Sequence, residues 1–405
     1  MKNIAVNDVI NLFERQKEWS TVERLICVLQ KKNVDYYFVG GCVRDAILFL
    51  SGMRKDFSVE DMDIVICDNK SYTWLKKILS NCFSDAKITF YPEFLTTKVL
   101  FPNFRVDLSF PRKEVYVSYG VLPKVARGDI YSDMFRRDFA INSIAMICDK
   151  GRYSFYDPFG GIDDLDKKCV RVLHNKSFYD DPTRILRGIR FCSSLDFHFE
   201  KETEKMLKKA VKENIFKFVS QDRLISEYVN LIKKGKNVGL SISLYKKYGI
   251  LEKINFIKDF INITLQVGKK LEIKNVSSSE KFYIRLMMIL DKMISKTNFY
   301  NKKLFVKEKL NELNLEKTEK KQIMMAIDYF YYCGKEKEEW FELYSQISGK
   351  KPILPLLTGK DLLKVGLKSG PMIGCILKKV YSLQLQNKIK NKEEAMKFVQ
   401  RYYGV

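Results

Sequence analysis

Asp61 and Asp63 flank Met62 at the start of the strand-like stretch DMDIVI. Side chains two apart on a strand leave from the same face, so both carboxylates project together. A third acidic residue, Asp107, lies in RVDLSF, another short strand-like stretch in the same part of the chain. Carboxylates on adjacent strands repel one another unless cations lie between them. Mg2+ suits such a place, because it favours carboxylate oxygens completed by substrate phosphates. Two ions there would serve phosphoryl-transfer chemistry, one sharpening an attacking hydroxyl and one offsetting charge on a leaving pyrophosphate.

An Asp-x-Asp pair alone is more often an exposed strand edge than a metal site. Its company here argues otherwise. Gly40-Gly41 closes the apolar run YYFV and precedes CVRDAILFL, which has helical character. Glycines at a strand-to-helix turn let a ligand approach the backbone, and the first N–H groups of the helix can cradle a phosphate. Arg44, one turn on, can add a guanidinium to the same anion.

The elements that must hold these residues follow from the pattern. Residues 5–33 read as helix, 36–41 as a strand ending in two glycines, 42–50 as helix and 62–66 as strand. SYTWLKKILSNCF reads as a further helix, and AKITFYP, TTKVLF and RVDLSF as short strands. Helix and strand in this order predict a small mixed sheet with helices packed on it. The segment 133–148 leads back into that sheet. From about residue 175 the apolar spacing turns helical, in DPTRILRGIRFCSSL, LISEYVNLIKK, KFYIRLMMILDKMI and MMAIDYFYY.

Composition bounds the partners. The 405 residues carry 72 Lys+Arg against 49 Asp+Glu, a formal charge of +23 that attracts polyanions, nucleic acid foremost. Nine cysteines stand singly with no CxxC pair, which argues against a disulfide framework or a zinc knuckle. His174 and His198 are the only histidines, too few for His-based zinc or Ser-His-Asp chemistry. No run approaches a membrane span and the N-terminus lacks a signal-peptide core, so a cytoplasmic location is expected.

Five stretches carry a resemblance. GGCVRD (40–45), DMD (61–63), RRDFAIN (136–142), DPFGGIDDL (157–165) and DDPTRILRGIRF (180–191) follow the order and approximate spacing of the class II tRNA nucleotidyltransferase and bacterial poly(A) polymerase family. TGKDLLKVGLKSGPMIG (358–374) looks like that family's C-terminal segment. The resemblance implies an α+β chain. A polymerase-beta-type nucleotidyltransferase head would span 1–172, followed by an all-helical neck (173–235), body (236–315) and tail (316–405).

It also implies roles. Asp61 and Asp63 would hold two Mg2+ ions, with Asp107 as the third catalytic carboxylate. Gly41 and Arg44 would bind the triphosphate. Arg137 would lie near the nucleotide and Asp138 near its 2′-hydroxyl. Asp181 and Arg184 would read the incoming base, with Arg187 and Arg190 on the triphosphate. An i, i+3 pair on a helix shares one face, so Asp181 and Arg184 are expected to meet one base edge together. The carboxylate would accept from the amine of cytosine or adenine, and the guanidinium would donate to the adjacent ring acceptor. Arg136 is expected to be solvated or RNA-facing, and the segment after the Asp-x-Asp strand, 91–102 included, occupies the region where the family carries a flexible head loop.

The chain departs from the family pattern in places. Asp180 stands where Glu is usual, Asp222-Arg223 and Glu227 replace a Glu-Arg…Glu motif, and RKEVYVSYGVLPKV (112–125) looks like the head variant of A-adding relatives. The implied activity is addition of CCA to the 3′ end of tRNA from CTP and ATP, with no obligate protein partner. A-addition alone and poly(A) synthesis are the alternatives, and a catalytically silent RNA-binding protein is the reading from a different class.

Overall fold

A computed structural model describes residues 4–254 apart from 18, 60, 69–71, 84–85, 102–103 and 150–151. It also describes 261, 264, 285–286, 289, 313 and 315, and 356–403 apart from 368–370 and 386–387. The helices expected over 281–294 and 324–332 lie outside the described residues, except that Arg285, Leu286 and Ile289 are helical.

Residues 5–33 form two helices, not one. These are α1 (Val6–Glu14) and α2 (Trp19–Lys31), with Arg15 capping the first by donating its N–H to the Phe13 carbonyl. Then come β1 (Asp35–Val39), α3 (Gly41–Leu50), β2 (Asp61–Cys67), α4 (Tyr72–Cys82), β3 (Lys87–Tyr91), β4 (Thr96–Leu100) and β5 (Arg105–Ser109). A hairpin of β6 (Arg112–Val115) and β7 (Lys124–Arg127) precedes α5 (Ile130–Phe135). Strands β8 (Ala145–Asp149) and β9 (Arg152–Tyr156) complete a seven-stranded sheet in the order β3-β4-β5-β2-β1-β8-β9. Only β2 and β5 pair in parallel; the other neighbours in it are antiparallel.

Alternation sorts the sheet's two faces. On β2, Met62, Ile64 and Ile66 are buried with Val106 and Leu108 of β5, while α1 to α4 pack against this part of the fold. The opposite face of β2 carries Asp61, Asp63 and Val65. Val65 lies beneath Met134 of α5 in a small cluster with Val39 and Ala145. The carboxylates therefore stand at the end of the strand that precedes this apolar cover.

Within 91–101 the expected strand TTKVLF forms, in the region where the family's flexible loop is expected. Pro92–Phe94 forms one 3₁₀ turn, and Thr96–Leu100 is ladder-paired to both β3 and β5. The long excursion of the head is the β6–β7 connection, where Val115, Val117, Tyr119, Val121 and Leu122 are exposed. Its sequence alternates apolar residues as a strand does, but among the described residues β6 and β7 pair only with each other.

DPFGGIDDL serves packing. Asp157 accepts the N–H groups of Gly161 (2.7 Å) and Ile162 (2.8 Å), capping α6 (Gly161–Asp166). A Cβ on Gly161 would lie 2.2 Å from the Ala140 carbonyl oxygen, so glycine lets α6 press on the RRDFAIN turn. Strands β10 (Cys169–Val170) and β11 (His198–Phe199) bracket α7 (Ser177–Asp180) and α8 (Thr183–Leu195). Helices α9 (Lys201–Lys212), α10 (Gln221–Lys234) and α11 (Val238–Lys247) follow.

The chain divides into two compact units, 1–227 with 235–258, and 228–234 with 259–405. The expected head and most of the expected neck thus form one unit. In the second, α12 (Gly359–Lys364), α13 (Pro371–Leu385) and α14 (Lys392–Tyr403) gather Leu362, Ile376, Val380, Ala395 and Val399 into a core. Thr358 and Asp361 of TGKDLLKVG form a capping box at the start of α12.

Candidate active site

Parallel pairing of β2 with β5 sets Asp63 beside Asp107 and Asp61 beside Arg105. The three expected carboxylates therefore occupy one patch of one face. Burial, reinforced by the charges of Asp107 and Asp61 and opposed by Arg137, pushes the Asp63 carboxyl up to about 6. Such a site favours a cation. Arg105 supplies one, with Nη2 2.8 Å from Asp61 Oδ2 and Nε 3.1 Å from Asp107 Oδ1. Among the described residues, no three His, Cys, Asp or Glu side chains stand as a ready-made ligand cage. The donor set still fits Mg2+, being all hard carboxylate oxygen with crowded negative charge.

Gly40 makes the approach possible. Its φ of +78° with ψ of −134° is a conformation open to glycine, and it starts α3 by accepting the Arg44 N–H. A Cβ there would stand 3.1 Å from both Asp63 Oδ2 and Arg137 Nη1. Gly41, the first residue of the helix, presents its backbone at the same turn. The glycine turn, a carboxylate and an arginine expected near the nucleotide thus meet at one point.

A buried ionic frame, which sequence reasoning missed, holds the arginines. Asp133 of α5 is fully buried and pairs with Arg136 (2.8 Å) and Arg137 (3.2 Å), which keep its carboxyl below the usual range although burial raises it. Arg136 also pairs with Glu114 of the hairpin at 3.2 Å, so it is neither solvated nor RNA-facing. Arg137 donates to the Asn142 carbonyl at 3.3 Å. Asn142 in turn accepts from Arg44 Nη1 at 2.5 Å and donates to Asp138 Oδ1 at 2.9 Å. The signal for Asp133 was its i, i+4 spacing to Arg137; nothing in the sequence pointed to Glu114.

Asp138 is buried and accepts from Arg187 Nε (2.9 Å) and Nη2 (2.6 Å). Burial alone would raise its carboxyl, but Arg187 and Asn142 hold it well below the ordinary range. Arg187 and Arg190 also approach Glu227 of α10, at 3.9 and 4.0 Å. Arg44 and Arg190 both lie over the Phe191 ring, at 5.1 and 5.0 Å. The arginine stripe of α8 is therefore tied to carboxylates and a ring.

Asp181 and Arg184 do not share a helical face. Asp181 is extended, ahead of Pro182, and α8 begins at Thr183. Its Oδ1 accepts from Thr183 N (3.0 Å), Thr183 Oγ1 (2.7 Å) and Arg223 Nη2 (2.8 Å). Arg184 is buried, donating to Ser177 Oγ (2.6 Å) and the Arg136 carbonyl (2.7 Å). Proline disfavours helical backbone in the residue before it, which is why i, i+3 spacing misled here.

Residues 36–171 match the poly A polymerase head domain family. The chain is 36% identical to the A-adding tRNA nucleotidyltransferase of Aquifex aeolicus over 219 residues, which are 54% of this chain and 25% of that protein. It is 26% identical to the A-adding tRNA nucleotidyltransferase of Halalkalibacterium halodurans over 100% of its own length and 95% of the relative's. The Thermotoga maritima CCA-adding enzyme complexed with tRNA shares the fold, with a TM-score of 0.54 and 24% identity over 97% of this chain and 98% of that one.

Proposed function

We propose that the chain, whose residues 36–171 match the poly A polymerase head domain and which is similar to A-adding tRNA nucleotidyltransferases, works as a class II tRNA nucleotidyltransferase: it extends the 3′ end of tRNA, drawing nucleotides from CTP or ATP and releasing pyrophosphate. The observation that carries this reading is the convergence of Asp61, Asp63 and Asp107 on the Gly40-Gly41 turn and Arg137.

In the reaction the RNA 3′-hydroxyl attacks the α-phosphorus in line, and the bond to pyrophosphate breaks. Asp61 and Asp63 would hold two Mg2+ ions, which lower the cost of the alkoxide and offset charge on the departing pyrophosphate. Asp107, beside Asp63 in the sheet, is the group to take the proton of the hydroxyl. The N–H groups that open α3 receive phosphate oxygens, with Arg44 behind them. Arg137, fixed by Asp133, orients the nucleotide at Asp63. Positioning and charge stabilisation supply most of the rate.

Base reading by Asp181 and Arg184 needs a rearrangement. Asp181 is held by Thr183 and Arg223, but Arg184 must leave Ser177 and the Arg136 carbonyl before it can donate to a base. Arg187 and Arg190 would reach the triphosphate by exchanging Asp138 and Glu227 for phosphate. The helical body and tail would grip the acceptor arm through phosphate contacts.

Two products remain in view. A reader that accepts the amine of cytosine or adenine fits completion of CCA from CTP and ATP. Addition of the terminal A alone is favoured by the Aquifex aeolicus and Halalkalibacterium halodurans relatives and by the 112–125 sequence. Purified protein is to be given tRNA ending at the discriminator base, at CC, or complete, with labelled CTP or ATP separately. Addition of both nucleotides, stopping after three, supports CCA completion, and ATP-only addition to CC ends identifies A-addition. Incorporation into none of these tRNAs overturns the proposal.

A further inference from the structure

Arg105 has no part in the reading above, yet it touches two of the carboxylates on which that reading rests. It lies two residues before Asp107 on β5, hence on the same face, and directly beside Asp61 across the parallel pair. Its guanidinium bridges the two, through Nη2 to Asp61 Oδ2 (2.8 Å) and Nε to Asp107 Oδ1 (3.1 Å). The first contact is a hydrogen bond; the second is an ion-pair approach without hydrogen-bond alignment.

Among the described residues, Lys98 and Arg137 are the other cations near this patch, and both have further partners. Lys98 stands opposite Asp107 in the β4–β5 ladder, but its ammonium lies 5.5 Å from the centre of the Tyr91 ring. Arg137 approaches Asp63 while bonded to Asp133 and the Asn142 carbonyl. Arg105 is the one of the three whose ion pairs reach Asp61 and Asp107.

We infer that Arg105 is a positioning residue of the carboxylate site, the built-in counter-cation that a divalent ion must displace. The inference rests on the reading of Asp61, Asp63 and Asp107 as metal ligands. A guanidinium on Asp61 Oδ2 and beside Asp107 Oδ1 competes with a metal ion for the same negative charge. The Arg105 side chain is 34% exposed and so has a way out to solvent. While it stays, it holds Asp61 and Asp107 together and offsets their repulsion. Its departure is a cost that metal binding must overcome, so the ion alone binds weakly. Tighter binding comes when a triphosphate adds its own oxygens.

The test uses the full chain, with Mn2+ alone as the probe and its free concentration read by electron paramagnetic resonance. Wild type, R105Q, R105K and D61N are compared, with folding checked by circular dichroism. R105Q is expected to bind Mn2+ about three- to tenfold more tightly, a modest gain because the pair is partly exposed. R105K should also exceed wild type, since a point charge cannot bridge both carboxylates as the planar fork does. It keeps the test open if R105Q does not fold. In 15N-arginine-labelled wild type, the Nε–H signal that R105K removes should shift when Mg2+ is added. Unchanged or weaker Mn2+ binding in the Arg105 variants, or an Nε–H signal indifferent to saturating Mg2+, overturns the inference while leaving the metal site standing. Wild-type Mn2+ affinity in D61N would overturn both.

Discussion

Gly40 shows how little room the site leaves. An alanine would have to hold φ at +78° and place its methyl 3.1 Å from Asp63 Oδ2 and Arg137 Nη1. Gly40→Ala should cost about 1–2 kcal/mol of stability in a denaturant titration. Nucleotide incorporation should fall further than that loss explains, because the proposed function makes the two side chains it displaces a metal ligand and the residue that orients the nucleotide. Asp138 makes a different prediction. Its depressed carboxyl pKa means that the folded state binds fewer protons than the unfolded state. Its stabilisation is therefore full above the ordinary carboxylate range and is lost as pH falls toward the depressed value. Asp138→Asn should cost about 2 kcal/mol at neutral pH, discounted because Arg187 is partly exposed. The gap to wild type should narrow in denaturation curves taken below about pH 4. Asp61 and Asp63 were legible as a pair because a two-residue period needs only local backbone. Arg105 was not, because its bridge depends on the register of two strands far apart in sequence.

At the scale of elements, α8 carries much of the organisation. Its Gly188 lies where a Cβ would come 2.6 Å from Phe199 and 2.8 Å from Phe139. Gly188→Ala should therefore destabilise by about 1–3 kcal/mol, read as a fall in thermal midpoint, by pushing the helix off the RRDFAIN turn. Helical spacing in the sequence found α8 but misjudged both its start and its charged face. Pro182 leaves Asp181 outside the helix, and the Arg187–Asp138 and Arg190–Glu227 contacts bring partners that no pattern within the helix reveals. The strands β1 to β5 were legible because short apolar runs end at recognisable turns. The stretch 112–125 stood out in the sequence only through its likeness to the A-adding head variant; its pairing as a hairpin was not read from it.

At the scale of the whole molecule, the formal charge of +23 creates a positive field that favours polyanions. Affinity for tRNA should fall at least about a hundredfold between roughly 50 and 200 mM salt, as counterion release requires of a protein making several phosphate contacts. A flat salt profile in a filter-binding titration would contradict it. The centre of the account, however, is the carboxylate patch. Its most direct test places Asp61→Asn and Asp63→Asn in one chain and follows labelled ATP into tRNA ending in CC, with tRNA affinity measured alongside. Incorporation should drop by about a thousandfold or more, with tRNA affinity within about twofold of wild type. Incorporation at the wild-type rate would contradict the assignment of this site.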